Sequence, residues 1–289
     1  MDVSIVIVSW RVRDLLRRCL QSLTNQTPRA STEIFVVDND SGDGSAEMVS
    51  IEFPHVKLIR NNRNLGFAAG CNQAIRRSTG RYILLLNPDT QVGERTIPDT
   101  ISFAETRSDA GIIGCSIVQP DGTPQHSIRH FPSFRSQLLI LLKLHNIFPN
   151  ARSLKQYYWP DLNYAQTQAV DQVMGAFFLI RREVLSTIGL LDEHFFVWFE
   201  EVDFCKRAAM KNWKTYYFPG AVATHVKSAS FSQLKPVERQ LFFSRSMLYY
   251  FYKHRPRWEY CGLLVVFPFS LVIAFVVQLV GMTKRRTDL

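Results

Sequence analysis

Arg81-Tyr-Ile-Leu-Leu-Leu-Asn-Pro-Asp89 is a run of strand-forming apolar residues that stops in a short acidic turn. Tyr82 to Leu86 show no polar alternation, so the strand is expected to be buried on both faces, as in a parallel sheet. Pro88 has no N–H to give to a ladder, so the strand must end there and leave Asp89 at its C-terminal mouth. In open α/β sheets that edge is where ligands sit. A carboxylate there is well placed to hold a divalent metal against a diphosphate.

Outward from this strand the same unit repeats. Strand patterns over 4–9, 33–37, 56–60, 81–86 and 111–118 alternate with helical patterns over 13–23, 45–51, 68–78 and 95–106. Such alternation predicts an α/β fold with a mostly parallel sheet and helices on both faces. A Gln119-Pro-Asp-Gly122 turn opens an irregular stretch to about 168, which holds apolar 138–144 and aromatic 157–159. Both of these suit a core or a lipid contact. A second patterned region follows: strand 173–180, helices 182–188 and 200–211, strand 214–218 and an extended segment 221–226. No Gly/Ser-rich linker interrupts the chain, so 1–232 reads as one domain and 233–289 as a C-terminal anchor opened by a helix over 236–253.

Composition narrows the classes. The 289 residues are 46% hydrophobic and 20% charged, as in a globular chain. Cys19, Cys71, Cys115, Cys205 and Cys261 have neither zinc nor disulfide spacing, and no signal peptide is expected, so a reducing cytoplasm is the better compartment. Of the net charge of +9, the last 57 residues contribute nine Lys/Arg against three Asp/Glu. The same region contains 261–282, 22 residues without a charged side chain. That is enough to cross a hydrocarbon core of about 30 Å. Tyr249, Tyr250, Tyr252, Trp258 and Tyr260 crowd its upstream edge like an interfacial belt. The basic excess therefore points to an anionic membrane surface rather than nucleic acid. A buried core helix and an in-plane segment are the other readings. Arg255 and Arg257 before it, and Lys284, Arg285 and Arg286 after it, leave the orientation open.

Polar residues concentrate at strand and helix ends. Ser9 and Trp10 follow the first strand. Asp38 opens the loop Val37-Asp-Asn-Asp-Ser-Gly-Asp-Gly-Ser45, where it can accept from a nucleobase or ribose; turn chemistry explains the loop equally well. Asn61-Asn-Arg-Asn-Leu-Gly-Phe67 precedes a helix start, which receives anions or needs only caps. Neither a Walker loop nor a G-x-G-x-x-G opening a helix is present, which counts against ATP hydrolysis and NAD chemistry. Glu200, Glu201 and Asp203 open a helix among Trp198, Phe199 and Phe204. Acids are ordinary at a helix start, but apolar neighbours would raise a carboxylate toward the range of a useful base. His225 follows a strand-like segment and could join Asp89 in a mixed N/O metal site.

In series, these motifs resemble the inverting glycosyltransferases of family two, with a GT-A-type fold, and most of all a bacterial rhamnosyltransferase-like branch. The resemblance covers about 3–230 and rests on Ser4-Ile-Val-Ile-Val-Ser-Trp10, Val37-Asp-Asn39, Asn64-Leu-Gly66 with Asn72, Asn87-Pro-Asp89, Gly175-Ala176, Glu200-Glu-Val-Asp203 with Arg207, and His225. It implies that Ser9, Trp10, Asp38, Asn64, Gly66, Asn72, Asn87 and Glu200 lie around the donor. It also implies that Asp89 and His225 hold Mg²⁺ or Mn²⁺, and that Glu201 is the base. Glu201 stands where the family carries Asp, and Asn87 where it carries an acid of its D-x-D motif, so Asp203 is a second candidate base. The implied activity is metal-dependent transfer of one sugar, with rhamnose the candidate, from a nucleoside-diphosphate donor. The acceptor would be a lipid-linked saccharide or glycan at the cytoplasmic face of the membrane. No Gln-x-x-Arg-Trp motif of processive members is present. The rivals are a nucleotidyltransferase and a non-catalytic membrane-bound nucleotide-sugar-binding protein; the oligomeric state stays open.

Overall fold

The protein is seen in a computed structural model that describes residues 1–24, 31–226 and 233–287, with side chains as far as 279. The basic flank at 284–286 and the end of the apolar segment therefore lie beyond the described side chains.

The first half alternates as its sequence predicts: β1 (Val3–Ser9), α1 (Arg13–Thr24), β2 (Thr32–Asp38), α2 (Ser45–Glu52), β3 (Lys57–Arg60), α3 (Phe67–Ile75) and β4 (Tyr82–Leu86). A short β5 (Thr90–Val92) follows, then α4 (Thr96–Glu105) and β6 (Ala110–Val118). The irregular stretch carries β7 (Ile128–Arg129), α5 (Phe134–Leu141), α6 (Arg152–Tyr158) and β8 (Gln168–Val170). The expected strand over 173–180 is instead β9 (Gln172–Val173) and β10 (Phe177–Arg181), which belong to different sheets. Then come α7 (Arg182–Ile188), α8 (Glu200–Ala209), β11 (Lys214–His225), α9 (Pro236–His254) and α10 (Arg257–Thr287). The expected pieces 214–218 and 221–226 are thus one strand, with a register shift between Phe218 and Val222 where Pro219 and Gly220 interrupt the ladder.

The main sheet runs β3-β2-β1-β4-β10-β6-β11-β5, with β8 also paired to β11. β1 to β4, β6 and β11 point one way; β10, β5 and β8 run against them. The chain moves outward from β1 to β3 and then returns to place β4 on the other side of β1. That reversal opens a crevice beyond the C-terminal ends of β1, β2 and β4.

Alternate side chains of the buried strands enter opposite layers. Ile5, Ile7, Leu84 and Leu86 join Leu16, Leu20 and Val49 on one face, while Val6, Val8, Ile83 and Leu85 meet Cys71, Ile75 and Phe204 on the other. Ser4, the polar residue inside β1, is satisfied by donating to Glu33 at 2.6 Å. Burial alone would raise the Glu33 carboxyl, but Lys57, Ser4 and Thr79 bond it and pull it down to about 2. A third apolar cluster joins α9 and α10 to Phe195, Phe199 and Leu141. The apolar run 138–144 falls mostly in α5, which packs on α10, and Trp159 stacks on His130 with ring centroids 3.9 Å apart.

Candidate active site

β4 stops where Pro88 requires. The Asn87 N–H carries the β4–β10 register one pair further, to Ala176 O at 3.1 Å, and the Thr90 N–H closes a turn onto Asn87 O at 3.1 Å. The turn lays β5 antiparallel to the end of β11, with Thr90 opposite His225. Asp89 and His225 thereby meet: Nε2 of His225 lies 3.3 Å from Asp89 Oδ1, and both side chains are buried. His225 Nδ1 sits 2.9 Å from Gln125 Oε1. An amide oxygen only accepts, so this contact calls for a proton on Nδ1 and leaves Nε2 facing Asp89.

Ser9 and Asp38 are register partners at the ends of β1 and β2. The Ser41 N–H donates to Asp38 Oδ2 at 3.3 Å and the Asn39 N–H to Ser9 O at 2.9 Å. Trp10 projects beside them, half-buried, with the Arg11 guanidinium 4.9 Å from its ring centroid.

Gly66 and Asn72 face the segment that leads into α8, and Asn64 bonds locally beside them. The Gly66 N–H donates to Asn64 Oδ1 at 2.9 Å, closing a local turn. Asn72 donates from Nδ2 to Leu191 O at 2.9 Å and to Glu193 Oε1 at 2.8 Å, and accepts from the Leu191 N–H at 3.2 Å. Its amide holds the catalytic-side loop rather than pointing at a nucleoside. Gly66 has φ +88°, and a Cβ there would stand 2.5 Å from Phe196 O. Gly66→Ala is therefore expected to cost about 1–3 kcal/mol through backbone strain, and more through the clash. A drop in the denaturant midpoint at unchanged slope checks it.

Trp198 and Phe199 both take left-handed backbone, φ 63° and 68°, immediately before Glu200. Two such non-glycine residues in a row mark a strained turn of the kind found at functional sites. It delivers Glu200 and Glu201 into apolar surroundings. Burial, and then the charge of Glu201, pushes Glu200 well above the usual carboxylate range. Burial also raises Glu201, with its own and Val202's N–H and the Arg129 charge pulling the other way. Asp203 is different. Fully buried, it accepts from His254 Nε2 at 2.6 Å, Lys253 Nζ at 2.8 Å and Arg207 Nε at 2.8 Å. Burial opposes its ionisation, but the hydrogen bond from His254, the charge of Arg207 and the bonds from Lys253 and Arg207 hold its carboxyl below the usual range.

Among the described residues, ten buried side-chain polar atoms lack a hydrogen-bond partner, and six of them are Ser9 Oγ, Asp38 Oδ1, Asp89 Oδ1, Thr90 Oγ1, Glu200 Oε2 and Glu201 Oε2. Native proteins leave few such groups unexplained, since each costs about 1–3 kcal/mol. Ser9, Asp38, Asp89 and Thr90 gather at the carboxyl ends of β1, β2 and β4, and the acids at the start of α8. Sequence reading missed Gln125, Thr90 and Arg129. Gln125 and Arg129 lie in the irregular stretch, which carries no periodic signal, and Arg129 lies 5.7 and 5.5 Å from the ring centroids of Tyr157 and Tyr158.

The donor set fits a divalent cation. An unbonded carboxylate oxygen and an imidazole lone pair facing each other at 3.3 Å repel unless a cation or proton lies between them. Among the described residues no cluster of three or more His, Cys, Asp or Glu accompanies the pair. Two such groups would leave the other positions around a cation open to oxygens of a ligand.

Known proteins resemble this chain in sequence and in fold. The N-acetylglucosaminyl-diphospho-decaprenol L-rhamnosyltransferase of Mycobacterium tuberculosis is 28% identical over 241 residues, 78% of this chain and 76% of that one. The low-salt glycan biosynthesis hexosyltransferase Agl10 of Haloferax volcanii is 26% identical over 215 residues, 73% of this chain and 62% of that one. Among solved structures, the mannosyltransferase PcManGT of Pyrobaculum calidifontis, in complex with GDP-Man and Mn²⁺, superimposes with a TM-score of 0.60 at 16% identity. The match covers 98% of this chain and 75% of that one, so the GT-A-type architecture expected from the sequence is the fold observed. Residues 4–189 match the family described as Glycosyl transferase family 2, and the chain belongs to it.

Proposed function

We propose that this glycosyltransferase moves one sugar from a nucleoside-diphosphate donor to a lipid-linked glycan acceptor at the cytoplasmic face of the membrane, with inversion at the anomeric carbon. The observation that carries the reading is the Asp89–His225 contact at the mouth of β4, beside the unbonded oxygens of Ser9 and Asp38. Rhamnose as the sugar, and a diphospho-lipid saccharide as the acceptor, are supported by the name of the mycobacterial relative.

Ser9 and Asp38 would bind the nucleoside, with Trp10 offering a ring face. Asp89 and His225 would hold Mg²⁺ or Mn²⁺, which when bound neutralises charge growing on the leaving diphosphate. Glu201 takes the proton from the acceptor hydroxyl as its oxygen attacks. Glu200, more strongly raised, keeps its proton and lets its neighbour ionise. Asp203 fastens α8 in place.

Purified protein with Mn²⁺ should release nucleoside diphosphate from a donor panel that includes nucleoside-diphosphate rhamnose; silence with every donor and lipid acceptor would sink the reading. Gln125→Ala frees the His225 ring and is expected to weaken Mn²⁺ binding about 10- to 100-fold. Manganese titration followed by electron paramagnetic resonance measures this without any turnover.

A further inference from the structure

α10 has two unlike sides. Leu263, Ser270 and Ala274 are buried against α9, where Gln240 Nε2 reaches Ser270 Oγ at 3.4 Å. Trp258, Val265, Phe269, Val272, Val276 and Leu279 lie on the other side, from 45% exposed at Leu279 to 69% at Val265. Their spacing of three, four and seven keeps them on one stripe, and the exposed Leu264 and Phe275 widen it to about 140° of the helix at 100° per residue. The window Arg257–Leu279 has a mean hydropathy of 2.5, with only 17% of it buried.

We propose that this outer face of α10 docks lengthwise on an anionic bilayer, so that the helix lies in the interface rather than crossing it. α9 decides the orientation. It is wedged between α10 and the catalytic body, with Ser246 Oγ bonded to Val197 O at 2.7 Å and Lys253 to Asp203 at 2.8 Å. A crossing over 257–274 would drag α9, with Arg239 and Arg245, into hydrocarbon. Charge selects the partner. Lys235, just before α9, and Arg239, Arg245 and Arg257 are exposed beside one exposed acid, Glu238, whereas the buried Glu259 is taken by Arg255 at 2.7 Å. Lys143 lies near enough to Arg239 that, after burial, this charge lowers its pKa; the exposed Ile147 and Phe148 follow it. Paired cations beside apolar side chains suit phosphate headgroups above acyl chains. In a second copy of the chain the exposed cations of like sign would face one another, whereas an anionic surface pairs with them.

The inference rests on the membrane side of the proposed function but not on its chemistry. Full-length protein should float with phosphatidylglycerol-containing vesicles and not with phosphatidylcholine alone. Phe269→Glu combined with Val272→Glu should lower the bound fraction about tenfold or more at an unchanged melting temperature. Cys261, the exposed one of the five cysteines, falls on the same face. Its alkylation by a water-soluble maleimide should slow when anionic vesicles are added, while a C-terminal tag stays open to external protease. Equal alkylation with and without vesicles overturns the proposal. So does a protease-protected tag, which means a span, or protection that rises with protein concentration alone, which means a second copy. Transfer to a soluble acceptor by protein that fails to float would overturn the docking and leave the chemistry standing.

Discussion

Glu201→Gln is expected to lower kcat by about 10²–10⁴-fold while leaving the Kd for the nucleotide-sugar donor unchanged. The substitution keeps the shape and removes the basic oxygen. Its partner explains why the position can act as a base. Two adjacent carboxyls in an apolar setting cannot both ionise readily, and they titrate as a unit. Burial raises both, and Glu201's charge raises Glu200 further, while Arg129 draws Glu201 back. Glu201 is therefore the one that sheds its proton first. Because transfer needs the ionised form, kcat should fall as pH drops through the raised value, which lies above the ordinary carboxylate range. Arg129→Met, which removes the opposing cation, should shift that acid limb upward.

The same substitution has a stability signature of opposite sign. A carboxyl whose folded pKa is raised binds its proton more tightly in the folded chain. Its stabilising contribution is complete below the unfolded value of about 4.3 and is lost as pH climbs through the folded value. Above the folded value the ionised, buried Glu201 thus opposes folding, and there Glu201→Gln should melt higher than the parent. Near pH ~4 the difference should vanish, since both chains then carry a neutral side chain. A variant that loses turnover and gains stability separates a base from a structural acid. Unchanged turnover would remove Glu201 from the mechanism.

The sheet and the position of Asp89 were legible because each follows from local chemistry. Tyr82 to Leu86 could only be a two-faced buried strand, and Pro88 could only end it, so Asp89 had to stand at the crevice. β5 was not legible: three residues after a proline turn have no period, and their strand character comes from β11 alone. The split of 173–180 was hidden for a related reason. Val173 and Phe177 are both good strand formers, and only their partners separate them: Val173 lies opposite Ile128 in one sheet and Phe177 opposite Leu86 in the other. Asn64 and Asn72 resembled ligand-facing amides, but sequence carries no sign that the loop at 190–199 would fold back to claim Asn72. Arg129 sits in a segment whose placement depends wholly on distant partners, Gln172 opposite it in the register and Tyr157 beneath its guanidinium.

Asp203→Ala is expected to be the most destabilising single change in the site region, at about 3–5 kcal/mol, because it strands cations that were buried against one carboxylate. Arg207 would keep its bonds to Ile188 O at 2.6 Å and Leu190 O at 3.0 Å, but lose its counter-charge. Lys253 would keep Asp192 at 2.6 Å, itself bonded by the Tyr249 hydroxyl at 3.1 Å. His254, buried against Asp203 and Tyr250, would keep no acceptor that its ring now uses. Asp203→Asn preserves an accepting oxygen and should cost less. The acid dependence has a definite sign. With its folded pKa lowered, Asp203 contributes stability above the unfolded value of about 3.9 and loses it as pH falls through the folded value, so the parent has an acid limb that both variants lack. This result also decides between the two candidate bases. Were Asp203 the base, Asp203→Asn would fold as the parent does and turn over about 10²-fold slower or worse. If it is the fastening between α8 and α9, the melting temperature falls while turnover per folded molecule stays within about tenfold, and His254→Ala and Asp203→Asn together cost less than the sum of the two alone. Thermal melts and turnover corrected for the folded fraction, measured on the same preparations, read both outcomes.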